Sequence, residues 1–326
     1  MNSPLLSFCI PTRHRAGFLR EFLESLAAQV TPEVEVVISD DASTDETAAV
    51  VESFRSRLPQ LTYERVDPAL RYDRNLLHAV ALARGEFCWL FGDDDRLEPE
   101  GLAAVLHALQ EDHDLTGLTT GRISYDSALA NQLLVRALKQ RETTLFCDAR
   151  EAFSCLLDRL GFLSCQVVNR RIWNEIVRQE NLEPYFTGYV QLYLIARMLV
   201  DAPHWQFLAK ECVAVRADND SFRVLGQFGR LQMDVCGYET IIGDVFGRDS
   251  HLYHEAMAEI SRTHVRHHIV TAKRAGAPFS FFREALELCV KHYGRYASFW
   301  LQTFPVLLMP RSIMLSMRSW YQRLRH

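Results

Sequence analysis

Three aspartates, Asp93, Asp94 and Asp95, stand side by side directly after the apolar run at residues 87–91. Neighbouring carboxylates resist ionising together, because each negative charge raises the pKa of the next. Either water on an open turn dilutes this repulsion, or a cation removes it. Mg²⁺ and Mn²⁺ prefer carboxylate oxygens and often share their coordination shell with substrate phosphates. The triplet is therefore either a solvated acidic turn or a metal site for a phosphate-bearing ligand.

Strands and helices are predicted to alternate along the chain up to this triplet. Apolar and partly β-branched runs predict strands at residues 5–10, 34–39, 61–66 and 86–91. A helical spacing of apolar residues predicts helices at residues 17–28, 45–58 and 74–84. Such alternation predicts an α/β protein whose mostly parallel sheet has helices on both faces.

The remainder of the chain changes character towards its end. We expect strands at residues 117–126 and 165–170, and helices at residues 100–112, 145–160 and 189–200. From about residue 227 the pattern is almost wholly helical. These patterns predict a ligand-binding domain over residues 1–225 and a helical C-terminal region over residues 226–326.

Polar side chains cluster where three of the predicted strands end. Ligands of such sheets bind outside the carboxyl ends of the strands, so these clusters should converge on one site. Besides the triplet, the candidates are Pro11, Thr12, Arg13, Asp40 and Asp41. Their convergence favours a metal site over a solvated turn.

Composition limits the classes of function. The 326 residues carry a formal net charge of -5, which disfavours general nucleic-acid binding. None of the eight cysteines forms a CxxC pair, so we expect no zinc site or disulfide framework, and a reducing cytosol. The N-terminus lacks the pattern of a signal peptide, and no run is long enough to cross a bilayer. A cytoplasmic protein, soluble or peripheral on a membrane, is expected.

The C-terminal segment at residues 299–326 combines basic and apolar residues. After Glu287 the chain has no acidic residue, but six Lys or Arg residues. On one predicted helical face lie Ile313, Met317, Trp320, Tyr321 and Leu324. This pattern is typical of an interfacial helix on anionic lipid, although a helix packed on the domain or a dimer surface would also produce it. The oligomeric state stays open.

Several stretches together resemble the family 2 glycosyltransferases of GT-A fold. The resemblance is carried by LSFCIPTRHRAGFLREFLESLAAQ, EVVISDDASTDET and DRNLLHAVALARGEFCWLFGDDDRLEP. It covers residues 5–110 well and continues more weakly to about residue 220. The stretches GFLSCQVVNRRIW and RADNDSF are similar to bacterial enzymes of O-antigen or capsule assembly, including the abequosyltransferase-like group.

The resemblance implies a role for each candidate residue. Thr12 and Arg13 would approach the nucleotide, Asp41 would accept a hydrogen bond from its base, and Arg74 would lie near the base or the diphosphate. The neighbouring Pro11 and Asp40 would line the same nucleotide site. The implied cofactor is Mn²⁺ or Mg²⁺, and the implied donor is a nucleotide-diphosphate sugar.

Within the triplet, Asp95 would bind the metal directly and Asp94 would face the ribose or the metal. Asp93 would be a further ligand, a supporting residue or neither. The family's usual motif has an aspartate one position earlier, where this chain has Gly92, so the division of roles is left open.

The catalytic base that the resemblance implies has no counterpart in the sequence. Inverting enzymes of this family carry Glu-Asp at the start of a helix near the acceptor, where this chain has Gly188 and Tyr189. Tyrosine ordinarily ionises near pH 10 and is no base at neutral pH. As substitutes that contact the acceptor or the diphosphate, we consider Asp218 and Asp220, which are also typical of a turn. The alternatives are a base from elsewhere in the chain or a reaction that does not use this base, and the stereochemical outcome, inversion or retention, is left open.

These features predict a metal-dependent glycosyltransferase that moves a sugar to a hydroxyl of a glycan, most simply a lipid-linked one. One alternative is a nucleotidyltransferase, but the PTRHRAGF loop has one glycine and no lysine. Another is a non-catalytic scaffold or glycan-binding protein of GT-A fold, which the missing Glu-Asp favours and the intact triplet opposes.

Overall fold

The structure is a computed structural model that describes residues 3–133 and 140–314. The chain divides into two compact units, residues 1–219 and residues 220–326. The first unit is built on one sheet, to which nine strands of the described residues contribute. The second unit is helical.

Four parallel strands form the first part of the sheet, as predicted. They are β1 (Leu6–Thr12), β2 (Val34–Asp41), β3 (Leu61–Val66) and β4 (Phe87–Leu90), arranged in the order β3-β2-β1-β4. Every residue of β1, β2 and β4 is buried, which explains their nearly continuous apolar sequences. The helices between them are α1 (Ala16–Ala27), α2 (Thr47–Ser53) and α3 (Tyr72–Leu82).

Beyond β4 the strands run in both directions. The sheet continues with β8 (Gln166–Asn169), β6 (Gly117–Tyr125), β9 (Trp205–Arg216) and β5 (Arg96–Leu97), and β7 (Thr144–Phe146) pairs with β9. The strand β8 is antiparallel to β4 and to β6, whereas β6 and β9 are parallel. The helices are α4 (Gly101–Glu111), α5 (Ala149–Leu160), α6 (Arg170–Gln179) and α7 (Val190–Asp201).

The prediction of a helix from residue 145 was wrong at its start. Residues 144–146 pair with β9, and Asp148 ends this extended stretch by capping α5. Its carboxylate accepts hydrogen bonds from Arg150 N and Glu151 N, which otherwise have no partner within the helix.

Aromatic packing fixes the strands that carry the candidate site. The ring of Phe8 on β1 stacks on Trp89 of β4, with 4.9 Å between centroids. The ring of Phe22 on α1 stacks on Phe91, 4.6 Å away, at the end of β4. These contacts fix the chain directly before the point where the triplet begins.

The second unit contains five helices within the described residues. They are α8 (Gly226–Phe246), α9 (His251–Ile260), α10 (Arg266–Ala275), α11 (Phe279–Tyr293) and α12 (Phe304–Leu308). No helix of the described residues is both long and apolar enough to cross a bilayer.

Candidate active site

The triplet lies where the carboxyl ends of β1 and β4 meet. Thr12, the last residue of β1, donates a hydrogen bond from Oγ1 to Asp93 Oδ2 at 2.7 Å. From the start of α1, Arg15 Nη1 donates to Asp94 Oδ2 at 2.8 Å and to Asp93 Oδ1 at 3.3 Å. One guanidinium therefore neutralises part of the charge of two adjacent carboxylates.

Asp95 is held by residues next to two later strands of the sheet, β8 and β9. Ser164 Oγ donates to Asp95 Oδ2 at 2.6 Å and accepts from Gly92 N at 2.9 Å, while Arg216 N donates to Asp95 Oδ1 at 3.1 Å. Ser164 lies in the turn before β8, and Arg216 ends β9. The triplet is thus built into the sheet and is not an open acidic turn.

Burial perturbs the two outer carboxylates. It raises the pKa of Asp93 to about 7, and the charge of Asp94 adds to the effect, while Arg15 and Thr12 oppose it. Burial, followed by the charge of Asp94, also raises the pKa of Asp95 to about 8. A cation bound at the triplet would favour the ionised forms.

The donor set around Asp94 fits a divalent cation. Asp94 Oδ1 accepts no hydrogen bond from any residue that the structure describes, although Asp94 Oδ2 is occupied. A Cβ atom at Gly92 would lie 3.1 Å from Asp94 Oδ1 and 3.5 Å from Asp95 Oδ2. The missing side chain therefore leaves room beside both oxygens, where the family's usual aspartate would stand.

Protein ligands alone would not complete the shell of such a cation. Within residues 3–133 and 140–314, no group of three His, Cys, Asp or Glu side chains is arranged to hold a metal. Mg²⁺ and Mn²⁺ are often bound by one or two carboxylates, with water and substrate phosphates as the other ligands. The Asp94–Asp95 pair matches that pattern.

The two aspartates at the end of β2 have different surroundings. Asp41 Oδ2 accepts from Arg13 Nη1 at 3.4 Å and from Arg71 N at 3.2 Å. Asp40 is fully buried and accepts from Ser43 N at 2.9 Å and from Tyr63 Oη at 2.6 Å. Asp41 therefore faces the loop before α3, whereas Asp40 holds the end of β2 to its neighbours.

Other predicted residues spread over the same edge of the sheet. Pro11 is buried within β1, and the side chain of Arg13 is half exposed. Arg74 is also half exposed, forms an ion pair with Glu183 and lies 4.9 Å from the centroid of the Phe186 ring. Its guanidinium is thus held by residues 183–186.

The turn RADND contributes different residues from those predicted. Arg216 Nε donates to the backbone oxygen of Asp94 at 3.0 Å, and Asn219 Nδ2 donates to Asp94 Oδ2 at 2.7 Å. Asp218 is exposed. Asp220 is exposed too and pairs with Arg230 Nε at 2.7 Å within the second unit. The asparagine between the two predicted aspartates is the one that reaches the triplet.

Gly188 and Tyr189 stand at the position of the expected Glu-Asp and supply no carboxylate. Gly188 has a φ of 82° and Tyr189 is buried directly before α7. The nearby carboxylate comes from α3, because Asp73 Oδ2 accepts from Gly188 N at 2.9 Å and Asp73 Oδ1 from Val190 N at 3.2 Å.

The first half of the chain matches a known protein family. The profile of glycosyl transferase family 2 matches residues 7–171, half of the chain. The chain belongs to glycosyl transferase family 2. The matched residues include the triplet and Ser164, so the family core and the described site coincide.

Curated relatives of this family 2 glycosyltransferase include bacterial transferases. The abequosyltransferase RfbV of Salmonella typhimurium is 28% identical over 264 residues, which are 75% of this chain and 76% of that protein. The poly(ribitol-phosphate) β-N-acetylglucosaminyltransferase TarS of Staphylococcus aureus is 35% identical over 113 residues, 33% of this chain and 19% of TarS. The predicted likeness to the abequosyltransferase group is confirmed.

Solved structures confirm the GT-A fold. The crystal structure of TarS residues 1–349 in complex with UDP-GlcNAc has a TM-score of 0.65 at 18% identity and covers 90% of this chain and 83% of that one. The mannosyltransferase PcManGT of Pyrobaculum calidifontis, in complex with GDP-Man and Mn²⁺, has a TM-score of 0.56 at 15% identity and covers 99% and 88%. The protein is a glycosyltransferase, which disfavours the nucleotidyltransferase and scaffold alternatives.

Sequence reasoning missed residues that the fold brings to the triplet from far along the chain. They are Arg15, Ser164, Arg216 and Asn219. For Arg15 the signal was present, since it stands in the same TRHR loop as Thr12 and Arg13. Ser164 had no comparable signal, because a serine between apolar residues is equally typical of ordinary packing.

Proposed function

We propose that this glycosyltransferase transfers a sugar from a nucleotide-diphosphate donor, with Mn²⁺ or Mg²⁺, to a hydroxyl of a lipid-linked O-antigen or capsule glycan. The observation that carries the proposal is the convergence of Asp93, Asp94 and Asp95 with Thr12 and Arg15 at the carboxyl ends of β1 and β4. The donors in the related TarS and PcManGT complexes are nucleotide-diphosphate sugars, which supports the same class of donor here.

Each residue around the site has a proposed role that follows from its position. Asp41, beside Arg13 and the loop before α3, is placed to accept a hydrogen bond from the nucleotide base. Asp94 and Asp95 would hold the metal beside Gly92, with Asp93 supporting them through Thr12 and Arg15. A bound divalent ion would supply positive charge for the departing diphosphate. Arg15, which pairs with Asp93 and Asp94, is placed to turn from these carboxylates to the phosphates.

The experiment is calorimetric titration with UDP, CDP, GDP and dTDP, each with and without Mn²⁺. We expect one nucleotide to bind, and to bind tightly only with the metal. Asp94→Asn should abolish the metal-dependent part of the affinity. The matched control is Asp114→Asn, an exposed aspartate just before β6 at the opposite edge of the sheet. Metal-independent binding, or equal losses in the two variants, would refute the metal assignment.

The acceptor would reach the enzyme at a membrane, and the second unit carries a surface suited to it. The exposed residues Leu301, Pro305 and Leu308 follow one another at helical spacing, and Leu301 and Leu308 are 76% and 61% exposed. Trp300 and Ile313, which are also large and apolar, are 42% and 49% exposed. Exposed apolar residues grouped in this way mark interaction surfaces. They all lie within the predicted membrane segment 299–326. Its residues 315–326, with Met317, Trp320, Tyr321 and Leu324, lie outside the described residues.

Basic residues and a cavity lie beside this apolar face. A cavity of about 350 Å³ is lined by Phe279, Phe282, Leu286 and Leu307, with Arg283 and Arg311 among its polar residues. Phe279 is 82% exposed. Apolar residues flanked by arginine suit anionic lipid, so we place the enzyme on the inner face of the cytoplasmic membrane.

Vesicle sedimentation tests this placement. Leu301→Gln combined with Leu308→Gln should lower binding to phosphatidylglycerol vesicles by about tenfold or more, since a fully buried leucine contributes about 1.5–3 kcal/mol. Val224→Gln is the control, because Val224 is 91% exposed elsewhere in the same unit. Unchanged binding of the double variant would exclude this face as the membrane contact.

A further inference from the structure

Asp73, in the first turn of α3, is a buried carboxylate that lacks a cationic partner among the described residues. Its residue is 8% exposed, and its two oxygens accept from Gly188 N and Val190 N. No Lys, Arg or His of the described residues forms an ion pair with it. Burial raises the pKa of Asp73, and the two backbone N–H groups oppose the change. Buried carboxylates without a counter-charge are costly and are therefore functional candidates.

The first turn of α3 places Asp73 on the ligand side of the sheet. Two residues before it, Arg71 N donates to Asp41 at 3.2 Å, and two residues after it, Asn75 Nδ2 donates to the backbone oxygen of Ser39 at 3.0 Å. Asp73 therefore belongs to the segment that packs against the end of β2.

Tyr72 connects Asp73 electrostatically with the triplet. Burial, followed by the negative charges of Asp73, Asp94 and Asp93, raises the pKa of Tyr72. The first turn of α3 also reaches a partner of the triplet, because Asn75 Nδ2 donates to the backbone oxygen of Thr12 at 3.5 Å and the Thr12 hydroxyl donates to Asp93 at 2.7 Å. A donor sugar whose diphosphate is bound at the triplet would then lie beside this turn of α3.

We propose that Asp73 is the general base that accepts the proton of the attacking acceptor hydroxyl, and this proposal rests on the proposed transfer function. The acceptor O–H bond breaks and its proton passes to a carboxylate oxygen of Asp73. The acceptor oxygen forms a bond to the anomeric carbon, while the bond from that carbon to the diphosphate breaks and the diphosphate leaves with the electron pair. The proton is afterwards released to water.

The contacts of Asp73 suit this role. An ionised carboxylate offers about four lone-pair positions, and the two N–H groups occupy only two of them. The amino end of α7 favours the ionised form and fixes its orientation. The same contacts would also serve a carboxylate that merely caps α7, so the experiment must separate a base from a cap.

Asp73→Asn is the test variant, and Asp148→Asn is its matched control. Asp148 caps α5 through two backbone N–H bonds of 3.0 and 2.8 Å, as Asp73 caps α7, but from a different part of the sheet. The assay is release of nucleoside diphosphate from UDP-GlcNAc, GDP-mannose, CDP-glucose and dTDP-glucose, with water as the acceptor. We expect Asp73→Asn to lower kcat by about 10²–10⁴-fold. Nucleotide affinity by calorimetry should stay within about threefold, and Asp148→Asn should retain its kcat.

A rescue experiment gives a signal that a cap would not produce. With Asp73→Ala, sodium formate should restore turnover in a concentration-dependent and saturable manner, because formate can take the proton in place of the missing carboxylate. Formate should not restore Asp94→Asn. Retention of kcat within about threefold in Asp73→Asn, or a parallel loss of nucleotide affinity with no formate rescue, would overturn the assignment of Asp73. Lack of turnover in the wild-type protein and in Asp148→Asn would instead overturn the proposed function.

Discussion

Replacing Ser164 by alanine should disable the metal site without touching an aspartate. Ser164 Oγ connects two parts of the triplet loop, since it donates to Asp95 at 2.6 Å and accepts from Gly92 N at 2.9 Å. In Ser164→Ala the partly buried Gly92 N–H loses its partner, which costs about 1–3 kcal/mol of folding free energy. Asp95 loses the hydroxyl that orients it. Removing a residue that orients a metal ligand typically lowers metal affinity by about 10–100-fold.

The control for this variant is Ser25→Ala. Ser25 Oγ likewise donates one hydrogen bond and accepts another, donating to the Phe22 oxygen at 2.7 Å and accepting from Leu97 N at 3.2 Å. Both variants should therefore lose similar stability in urea unfolding. Only Ser164→Ala should lose Mn²⁺-dependent nucleotide affinity, by about 1.4–2.7 kcal/mol, which is that 10–100-fold change in free energy. If Ser164→Ala kept its affinity within about twofold, or if Ser25→Ala lost as much, the reasoning would be refuted.

Two further predictions concern stability. Burial raises the pKa of the fully buried Glu35, but hydrogen bonds, foremost from Ser7 Oγ at 2.6 Å, outweigh it and lower the pKa overall. Glu35→Gln should therefore cost about 1.5–3 kcal/mol at neutral pH. The difference from wild type should shrink in urea unfolding as the pH falls below about 4.3, where the unfolded side chain protonates, and a constant difference would contradict this. Gly117→Ala should cost about 1–3 kcal/mol or more, because its Cβ would lie 2.2 Å from the Trp205 ring. Gly17→Ala, whose Cβ meets nothing within 4 Å, should show no such loss in thermal unfolding.

Strands β1, β2 and β4 could be predicted because each is a nearly continuous apolar run up to the polar residues at its end, whereas β3 carries Glu64 and Arg65 among its apolar residues. In contrast, β9 was missed, because its outer residues alternate irregularly and include Lys210 and Glu211. Strand β7 was missed because its three residues have no period to detect, and it forms only by pairing with β9. Short strands of this kind depend on their neighbours and not on their own sequence.

The sequence by itself determined where β1, β2 and β4 end, because each apolar run stops at the polar or charged residues that follow it. It also determined the family, through Asp93, Asp94 and Asp95 and the loop at Thr12. These signals are local in the sequence. They can be recognised because each follows an apolar run that predicts a strand.

Only the tertiary structure decided which side chains surround the triplet. Ser164 lies 69 positions from Asp95, Asn219 lies 125 from Asp94, and Gly188 lies 115 from Asp73. These contacts depend on the order in which the strands and helices pack. A hydrogen bond between distant residues leaves no period in the sequence, because it is specified by the packing of whole elements and not by the spacing of neighbours.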